Sequence, residues 1–96
     1  MNFITEPSMK CIHIRVYGKI HNLGFRFYTM QAAVHRKING YARNSSDGSI
    51  FIEAEGEEND LNSFVEWCQK GPFFTRVEKV TITDAEIMNH TSFEIK

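Results

Sequence analysis

The segment that decides the fold of this chain runs from Gly18 to Arg26 and reads GKIHNLGFR. It follows a stretch of alternating apolar residues, which is typical of a strand, and it leads directly into a helical pattern. A glycine-containing turn between a strand and a helix directs several backbone N–H groups into one concavity, where the helix adds partial positive charge. Arg26 offers a planar set of donors that matches a phosphate or a carboxylate. The segment therefore predicts an anion-binding loop.

The elements next to this loop are a strand and a helix. Residues 11–17 alternate between apolar and polar side chains, as a half-buried strand does. A helix is predicted over residues 25–37, since apolar residues recur there at spacings of three and four. Its apolar face is predicted to contain Phe27, Met30, Val34 and Ile38.

A hairpin is predicted after this helix. Its strands cover residues 40–44 and 49–55, and the turn at 45–48 contains Gly48, which can adopt a positive φ without a steric cost. In the second strand, alternate residues from Ile50 to Ala54 share one face.

The remaining elements are a second helix and two strands. The helix is predicted over residues 60–70, with Asn59 as its cap and Gly71-Pro72 as its end. Its apolar stripe contains Leu61, Phe64, Val65 and Cys68. Residues 77–83 are predicted to form a strand in which Val77 is out of phase with the later valine and isoleucine, so we expect either a bulge or a late start of the strand. Residues 93–95 form a short last strand.

This order, β-α-β-β-α-β with an added strand, predicts an α+β fold of the ferredoxin-like split βαβ type. We expect an antiparallel sheet with two helices on one face. With 96 residues the chain has room for one domain. We assign residues 1–9 to a flexible N-terminal tail and residues 10–96 to the domain.

Composition narrows the classes of function. The net charge of -1 argues against a dedicated nucleic-acid binder. No apolar run is long enough to cross a membrane, and the N-terminus has no basic-then-apolar leader pattern. Cys11 and Cys68 are not in a CxxC pair, and we expect both to be buried, reduced thiols. These features predict a cytoplasmic protein without nucleic-acid or membrane partners.

A second informative segment runs from Gly40 to Ser49 and reads GYARNSSDGS. Together with Gly18–Arg26, it resembles the two sequence motifs of the acylphosphatase family. The directly matching residues are Gly18, Lys19, Phe25, Arg26, Gly40, Tyr41, Asn44, Asp47, Gly48 and Ser49. Gly71-Pro72 and residues 92–95 also have counterparts in that family, so the resemblance extends over most of the chain from Cys11 to Ile95.

The resemblance implies the ferredoxin-like fold and hydrolysis of the carboxyl–phosphate bond of acyl phosphates. It implies that Arg26 binds the phosphate and that Asn44 positions the attacking water. The loop residues predicted to bind the phosphate are His21, Asn22, Leu23, Gly24, Phe25 and Arg26. We expect no metal and no cofactor, with inorganic phosphate as product and inhibitor. A held phosphoryl group and an in-line water suffice, because the carboxylate is already a good leaving group.

Two loop positions depart from the family pattern, which usually has glutamine at His21 and glycine at Asn22. Asparagine is the side-chain-bearing residue that best tolerates left-handed backbone angles, so Asn22 is a mild replacement. His21 brings a titratable group close to the expected phosphate.

Other functions stay open at this point. One is a phosphate- or carbamoyl-phosphate-binding module that turns its ligand over poorly. Another is an RNA- or metal-binding ferredoxin-like domain. Tyr17, Tyr41 and Phe51 could stack bases, although the third strand is acidic at Glu53 and Glu55. The histidines are expected on solvent faces or in loops, which disfavours a metal site.

Overall fold

The structure, a computed structural model, describes residues 8–20 and 24–96. The described elements are, in chain order, β1 (Met9–Lys19), α1 (Phe25–His35), β2 (Asn39–Asn44), β3 (Ile50–Glu57), α2 (Glu58–Lys70), β4 (Arg76–Ala85) and β5 (Phe93–Ile95). This order confirms the predicted arrangement. The predicted tail falls mostly on residues 1–7, outside the described residues, and its last residue, Met9, already pairs with Glu57.

The described strands form one sheet in the order β4-β1-β3-β2-β5. The pairs β4–β1, β1–β3 and β3–β2 are antiparallel, as predicted. Strand β5 runs parallel to β2, so the sheet as a whole is mixed. The reason is the connection after β4, which crosses the sheet before β5 begins at the opposite edge. On the way, the backbone N–H groups of Met88 and His90 donate to the Glu55 carboxylate of β3, at 2.6 and 2.7 Å.

Both helices cover one face of the sheet, and the core lies between them. The strands contribute alternate residues to this face, among them Ile14 and Ile52, which pair across β1 and β3. Helix α1 packs on β2 and β5, whereas α2 packs on β1, β3 and β4. The ferredoxin-like prediction is therefore confirmed in element order, pairing and layering.

The expected irregularity in β4 is present. The register between β1 and β4 shifts between Tyr17 and Gly18, where Tyr17 pairs with Lys79 and Gly18 pairs with Val77. Glu78 is thus the extra residue of a bulge. Strand β4 is longer than the predicted range 77–83, because its pairing with β1 extends from Arg76 to Ala85.

The buried face of α1 differs from the predicted one. Its fully buried residues are Phe25, Thr29, Ala32 and Ala33. Phe27 and Val34 are instead 47% and 63% exposed, and Ile38 is buried but lies beyond the helix, which ends at His35. Two adjacent alanines let the helix approach the sheet closely, and the Thr29 hydroxyl donates to the Phe25 carbonyl at 2.8 Å. Met30 is partly buried and packs against the core, so the predicted face is confirmed at that position and wrong at Phe27 and Val34.

The stripe of α2 is as predicted, with Leu61, Phe64 and Cys68 buried. The start is different, because the helix begins at Glu58 and its cap position is Glu57, not Asn59. Strand β3 leads into α2 without a loop, and the Glu58 N–H donates to the carbonyl of Ser8 at 3.1 Å. The Ser8 carbonyl thus accepts one of the N–H groups at the start of α2 that the side chain of a cap residue would otherwise accept. Of the two described helices, neither has the length and apolar character needed to span a bilayer.

Candidate active site

Three parts of the chain meet at one end of the sheet. Asn44, at the end of β2, pairs with Ile50, which in turn pairs with Val16 near the end of β1. At the other side of β1, Lys19 pairs with Arg76 at the start of β4. The start of α1, the end of β2 and the α2–β4 connection are therefore neighbours.

Gly24 forms the entrance to α1. It is the cap residue of the helix and has left-handed backbone angles, φ 72° and ψ 21°. Its carbonyl accepts the N–H of Tyr28 at 3.2 Å. The first turn of α1 contains no acidic residue, so nothing there neutralises the positive end of the helix dipole. The first N–H groups of an α-helix have no partners within the helix, and together with the dipole they favour an anion at such a helix start.

The predicted loop residues before Gly24, namely His21, Asn22 and Leu23, lie outside the described residues. Phe25 anchors the end of this loop through its side chain. The ring is 1% exposed, and its centroid lies 5.7 Å from that of Trp67 on α2. Burial of the ring fixes the first turn of α1 against α2 and leaves only the backbone of Phe25 to contribute to an anion site.

Arg26 points away from α2 and towards the edge formed by β5. Its Nη1 donates to the carbonyl oxygen of Lys96 at 2.7 Å, and the N–H of Lys96 donates to the Ala42 carbonyl at 2.8 Å. This chain of contacts holds the guanidinium beside β2, two residues before Asn44. The contact with Lys96 uses one donor of the guanidinium, which has five.

Asn44 lies on the same face of the sheet as the start of α1. Side chains alternate along a strand, so Asn44 shares its face with Ala42, which is completely buried beneath the helices. Asn44 itself is exposed at the end of β2. The structure thus brings Arg26 and Asn44 to one face at one end of the sheet.

The turn after Asn44 is held by a hydrogen-bond network. Gly48 has φ 87°, and the N–H of Ser45 donates to the Ser49 carbonyl at 2.9 Å, which confirms the predicted turn. Arg15 Nη1 donates to Ser45 Oγ at 2.9 Å. The Asp47 carboxylate accepts the Ser49 hydroxyl and N–H, and these hydrogen bonds lower the pKa of Asp47. The network holds the turn that follows Asn44, and it thereby fixes the position of Asn44 at the end of β2.

The opposite, open face of the sheet contains a cluster that the sequence analysis missed. His13 Nε2 lies 2.8 Å from Glu53 Oε1, and His90 Nε2 lies 2.5 Å from Glu53 Oε2. Since an ionised carboxylate only accepts, both imidazoles donate to it. Glu53 therefore joins β1, β3 and the β4–β5 connection. Within the described ranges no group of three His, Cys, Asp or Glu residues has a geometry that could hold a metal ion.

The central aromatic residue of the same face is covered. The Phe51 ring is 9% exposed and lies beneath the guanidinium groups of Arg15 and Arg43, at 5.1 and 4.6 Å from its centroid. The aromatic residue at the centre of this face is therefore already covered by cations of the same chain.

Glu53 gives a testable pH dependence. Burial acts to raise its pKa, but the hydrogen bonds from His13 and His90 outweigh burial and hold the pKa below its ordinary value. A depressed folded-state pKa stabilises the fold above the unfolded value of about 4.3, and this contribution is lost as the pH falls through the folded-state pKa. We expect Glu53→Gln to lower the free energy of unfolding at pH 6. The difference from the parent should shrink in urea titrations as the pH falls below about 4.

The control for this experiment is Glu66→Gln, which changes an exposed carboxylate on α2. Its unfolding free energy should follow that of the parent at each pH. A constant difference between Glu53→Gln and the parent across the acid range would contradict the assigned role of Glu53.

The fold defines a class of protein, namely a small ferredoxin-like α+β domain with two helices on one face of a five-stranded sheet. The acylphosphatase family model matches residues 12–95. This match covers most of the chain and includes both segments that form the site, and the chain therefore belongs to the acylphosphatase family.

Individual relatives agree with this assignment. An acylphosphatase from Oceanobacillus iheyensis is 40% identical over 90 residues, which cover 92% of this chain and 99% of that protein. The crystal structure of acylphosphatase from Bacillus subtilis has a TM-score of 0.87 and 34% identity, and the match covers 93% of this chain and 99% of that one. An acylphosphatase structure from Coxiella burnetii has a TM-score of 0.90 and 25% identity, with coverage of 97% and 100%.

Proposed function

We propose that this member of the acylphosphatase family hydrolyses acyl phosphates to a carboxylate and inorganic phosphate by direct, metal-independent attack of water. The observation that carries the proposal is the position of Arg26 and Asn44 at one end of the sheet, on the face from which α1 begins. The guanidinium of Arg26 can donate hydrogen bonds to the phosphoryl oxygens, and the amide of Asn44 can orient the attacking water.

The phosphoryl group would be held by the loop and by Arg26. Backbone N–H groups from His21 to Phe25 and the guanidinium would contact its oxygens, which carry the charge of the transition state. The Lys96 carbonyl, already bound by Nη1, fixes the guanidinium in place before the substrate arrives. Such preorganisation lowers the cost of reorganisation during the reaction.

The water would be oriented by Asn44. An amide both donates and accepts, so it can hold a water in line with the leaving oxygen without itself changing charge. As the bond from the water oxygen to phosphorus forms, the bond from phosphorus to the acyl oxygen breaks, and the carboxylate leaves with the electron pair. A phosphoryl oxygen of the substrate accepts the proton of the water.

The test is hydrolysis of benzoyl phosphate by the purified chain, with and without a chelator. We expect turnover that is insensitive to the chelator and competitively inhibited by inorganic phosphate. Binding of phosphate without turnover would instead favour a phosphate- or carbamoyl-phosphate-binding module. Loss of activity in the chelator, with recovery on addition of metal, would contradict metal independence.

We infer that the protein works in a reducing compartment such as the cytoplasm, with small acyl phosphates rather than nucleic acid or membranes as its partners. Cys11 and Cys68 are free and buried, as expected from the sequence. Burial raises the pKa of the Cys11 thiol to about 11 and raises that of Cys68 as well, so neither is a ready nucleophile. Fractionation that found the protein outside the reducing compartments would contradict this inference.

A further inference from the structure

The Glu55 carboxylate binds the backbone of the β4–β5 connection, residues 86–92. Its Oε2 accepts the N–H of Met88 at 2.6 Å and that of Asn89 at 3.2 Å, and its Oε1 accepts the N–H of His90 at 2.7 Å. Asn89 has φ 59°, a left-handed conformation that turns successive N–H groups towards one point. The connection therefore surrounds one carboxylate with three backbone donors.

Hydrogen bonds, rather than apolar packing, hold this connection in place. Residues 86–92 all belong to the described part of the chain, and none of them is buried. Glu55 itself is 3% exposed. A buried carboxylate that loses its hydrogen-bond partners is costly, so Glu55 is stable in its place only while the connection lies across it. The carboxylate therefore favours a single position for residues 88–90.

The connection in turn leads into β5 after a few residues. The Ser92 carbonyl accepts the N–H of Gly40 at 2.8 Å, and β5 begins at the next residue. This strand has three residues, of which Phe93 is buried. Three pairs with β2 and one buried side chain are a small anchor. The position of the connection therefore contributes to the register of β5 along β2.

The residue that follows β5 contacts Arg26. The N–H of Lys96 donates to the Ala42 carbonyl at 2.8 Å, and the Lys96 carbonyl accepts from Nη1 of Arg26 at 2.7 Å. A long arginine side chain has many rotamers, and an acceptor at a fixed place selects among them. The position of the Lys96 carbonyl therefore orients the guanidinium.

We propose that Glu55 is a positioning residue for the hydrolysis, because its carboxylate fixes the β4–β5 connection and, through β5, the orientation of the Arg26 guanidinium. This inference rests on the proposed function, in which Arg26 contacts the phosphoryl group. Glu55 lies two residues from Glu53 on the same strand and so shares the open face of the sheet, opposite to α1. It acts on the reaction through Arg26 and not by contact with the substrate.

The test is a double-mutant cycle of Glu55→Gln and Arg26→Ala, with kcat/KM for benzoyl phosphate as the measured quantity. An amide keeps the shape of the carboxylate, but it has one acceptor oxygen instead of two and its NH2 group faces a backbone donor. We expect Glu55→Gln to lower kcat/KM of the parent by about tenfold, since a misplaced group can cost up to about a hundredfold. In the Arg26→Ala background the same change should alter kcat/KM by less than about twofold, because the group that Glu55 orients is already absent.

Two controls separate positioning from stability and from charge. Val65→Ala shortens a partly buried side chain of α2 that packs against the core, so it should lower the urea midpoint and keep the parental kcat/KM. Glu94→Gln removes an exposed carboxylate from β5 itself and should also keep the parental kcat/KM. Urea titration of Glu55→Gln gives its folded fraction, and kcat/KM is expressed per folded molecule.

The outcomes separate this inference from the proposed function. An equal loss from Glu55→Gln in the parent and in the Arg26→Ala background would show that Glu55 acts on the fold as a whole, and it would overturn the positioning role. Parental kcat/KM in Glu55→Gln would also overturn that role and would leave the proposed function intact. Absence of benzoyl phosphate hydrolysis by the parent would overturn the proposed function and the positioning role with it.

Discussion

Arg26→Ala is expected to lower kcat/KM for benzoyl phosphate by about a thousandfold or more, the scale for loss of an arginine that stabilises a phosphoryl transition state. The reason is that the guanidinium is the charged side chain at the start of α1, whose first turn contains no acid. Both KM and kcat should worsen, because the group would contact the phosphate before and during the reaction. The inhibition constant for inorganic phosphate should rise in parallel.

The fold should survive this substitution. The hydrogen bond lost, from Nη1 of Arg26 to the Lys96 carbonyl, lies at an exposed position and is worth about 1 kcal/mol. Circular dichroism and the urea midpoint should therefore stay close to those of the parent. Arg26→Lys should recover only part of the activity, since an ammonium is a point charge without the planar pair of donors.

Arg43→Ala is the matched control for Arg26. Its guanidinium lies on the open face of the sheet, 4.6 Å from the centroid of Phe51, although Arg43 is the immediate neighbour of Asn44. Its removal should leave kcat/KM within about threefold of the parent. A similar loss in both arginine variants would indicate a general effect of charge, and full activity of Arg26→Ala would contradict its role in phosphate binding.

The sequence predicted the parts of the fold that depend on strong local patterns. Alternation in residues 11–17 and the stripe of Leu61, Phe64 and Cys68 identified β1 and α2, because their buried positions hold large apolar side chains. The same reasoning assigned the wrong face to α1. There the buried residues after Phe25 are small or carry a hydroxyl, and Phe27, which the periodicity placed in the core, is 47% exposed.

Features that depend on distant contacts could not be read from local patterns. Glu53 meets His13 and His90, which are 40 and 37 positions away, and nothing in the spacing of these residues indicates the contact. The acidic character of β3 was taken as evidence against base stacking. Its carboxylates are instead structural groups that hold the β4–β5 connection across the sheet.

The candidate site was predicted by different kinds of reasoning. The anion loop followed from the order strand, glycine-containing turn and helix, which fixes its chemistry locally. The assignment of Asn44 depended on family resemblance, since an asparagine before an Asp-Gly turn is common turn chemistry. The structure adds a physical reason, because the alternation along β2 places Asn44 on the face where α1 begins.

Asn44→Ala is expected to separate binding from turnover. The amide would act on the water and not on the phosphate, so kcat should fall by about a hundredfold or more while phosphate binding stays within a few-fold of the parent. The measurements are kcat for benzoyl phosphate and the inhibition constant for inorganic phosphate. This pattern differs from that of Arg26→Ala, in which both quantities worsen together.

The turn that carries Asn44 needs its own control. Ser46→Ala changes an exposed residue of the same turn, and the turn should persist because Arg15 still donates to Ser45 and the Ser45 N–H still donates to the Ser49 carbonyl. Its kcat should match that of the parent. If Ser46→Ala loses activity to the same extent as Asn44→Ala, the effect arises from distortion of the turn. If Asn44→Ala turns over at the parental rate, another group positions the water, because the loss of an amide that orients the nucleophile cannot leave the chemical step unchanged.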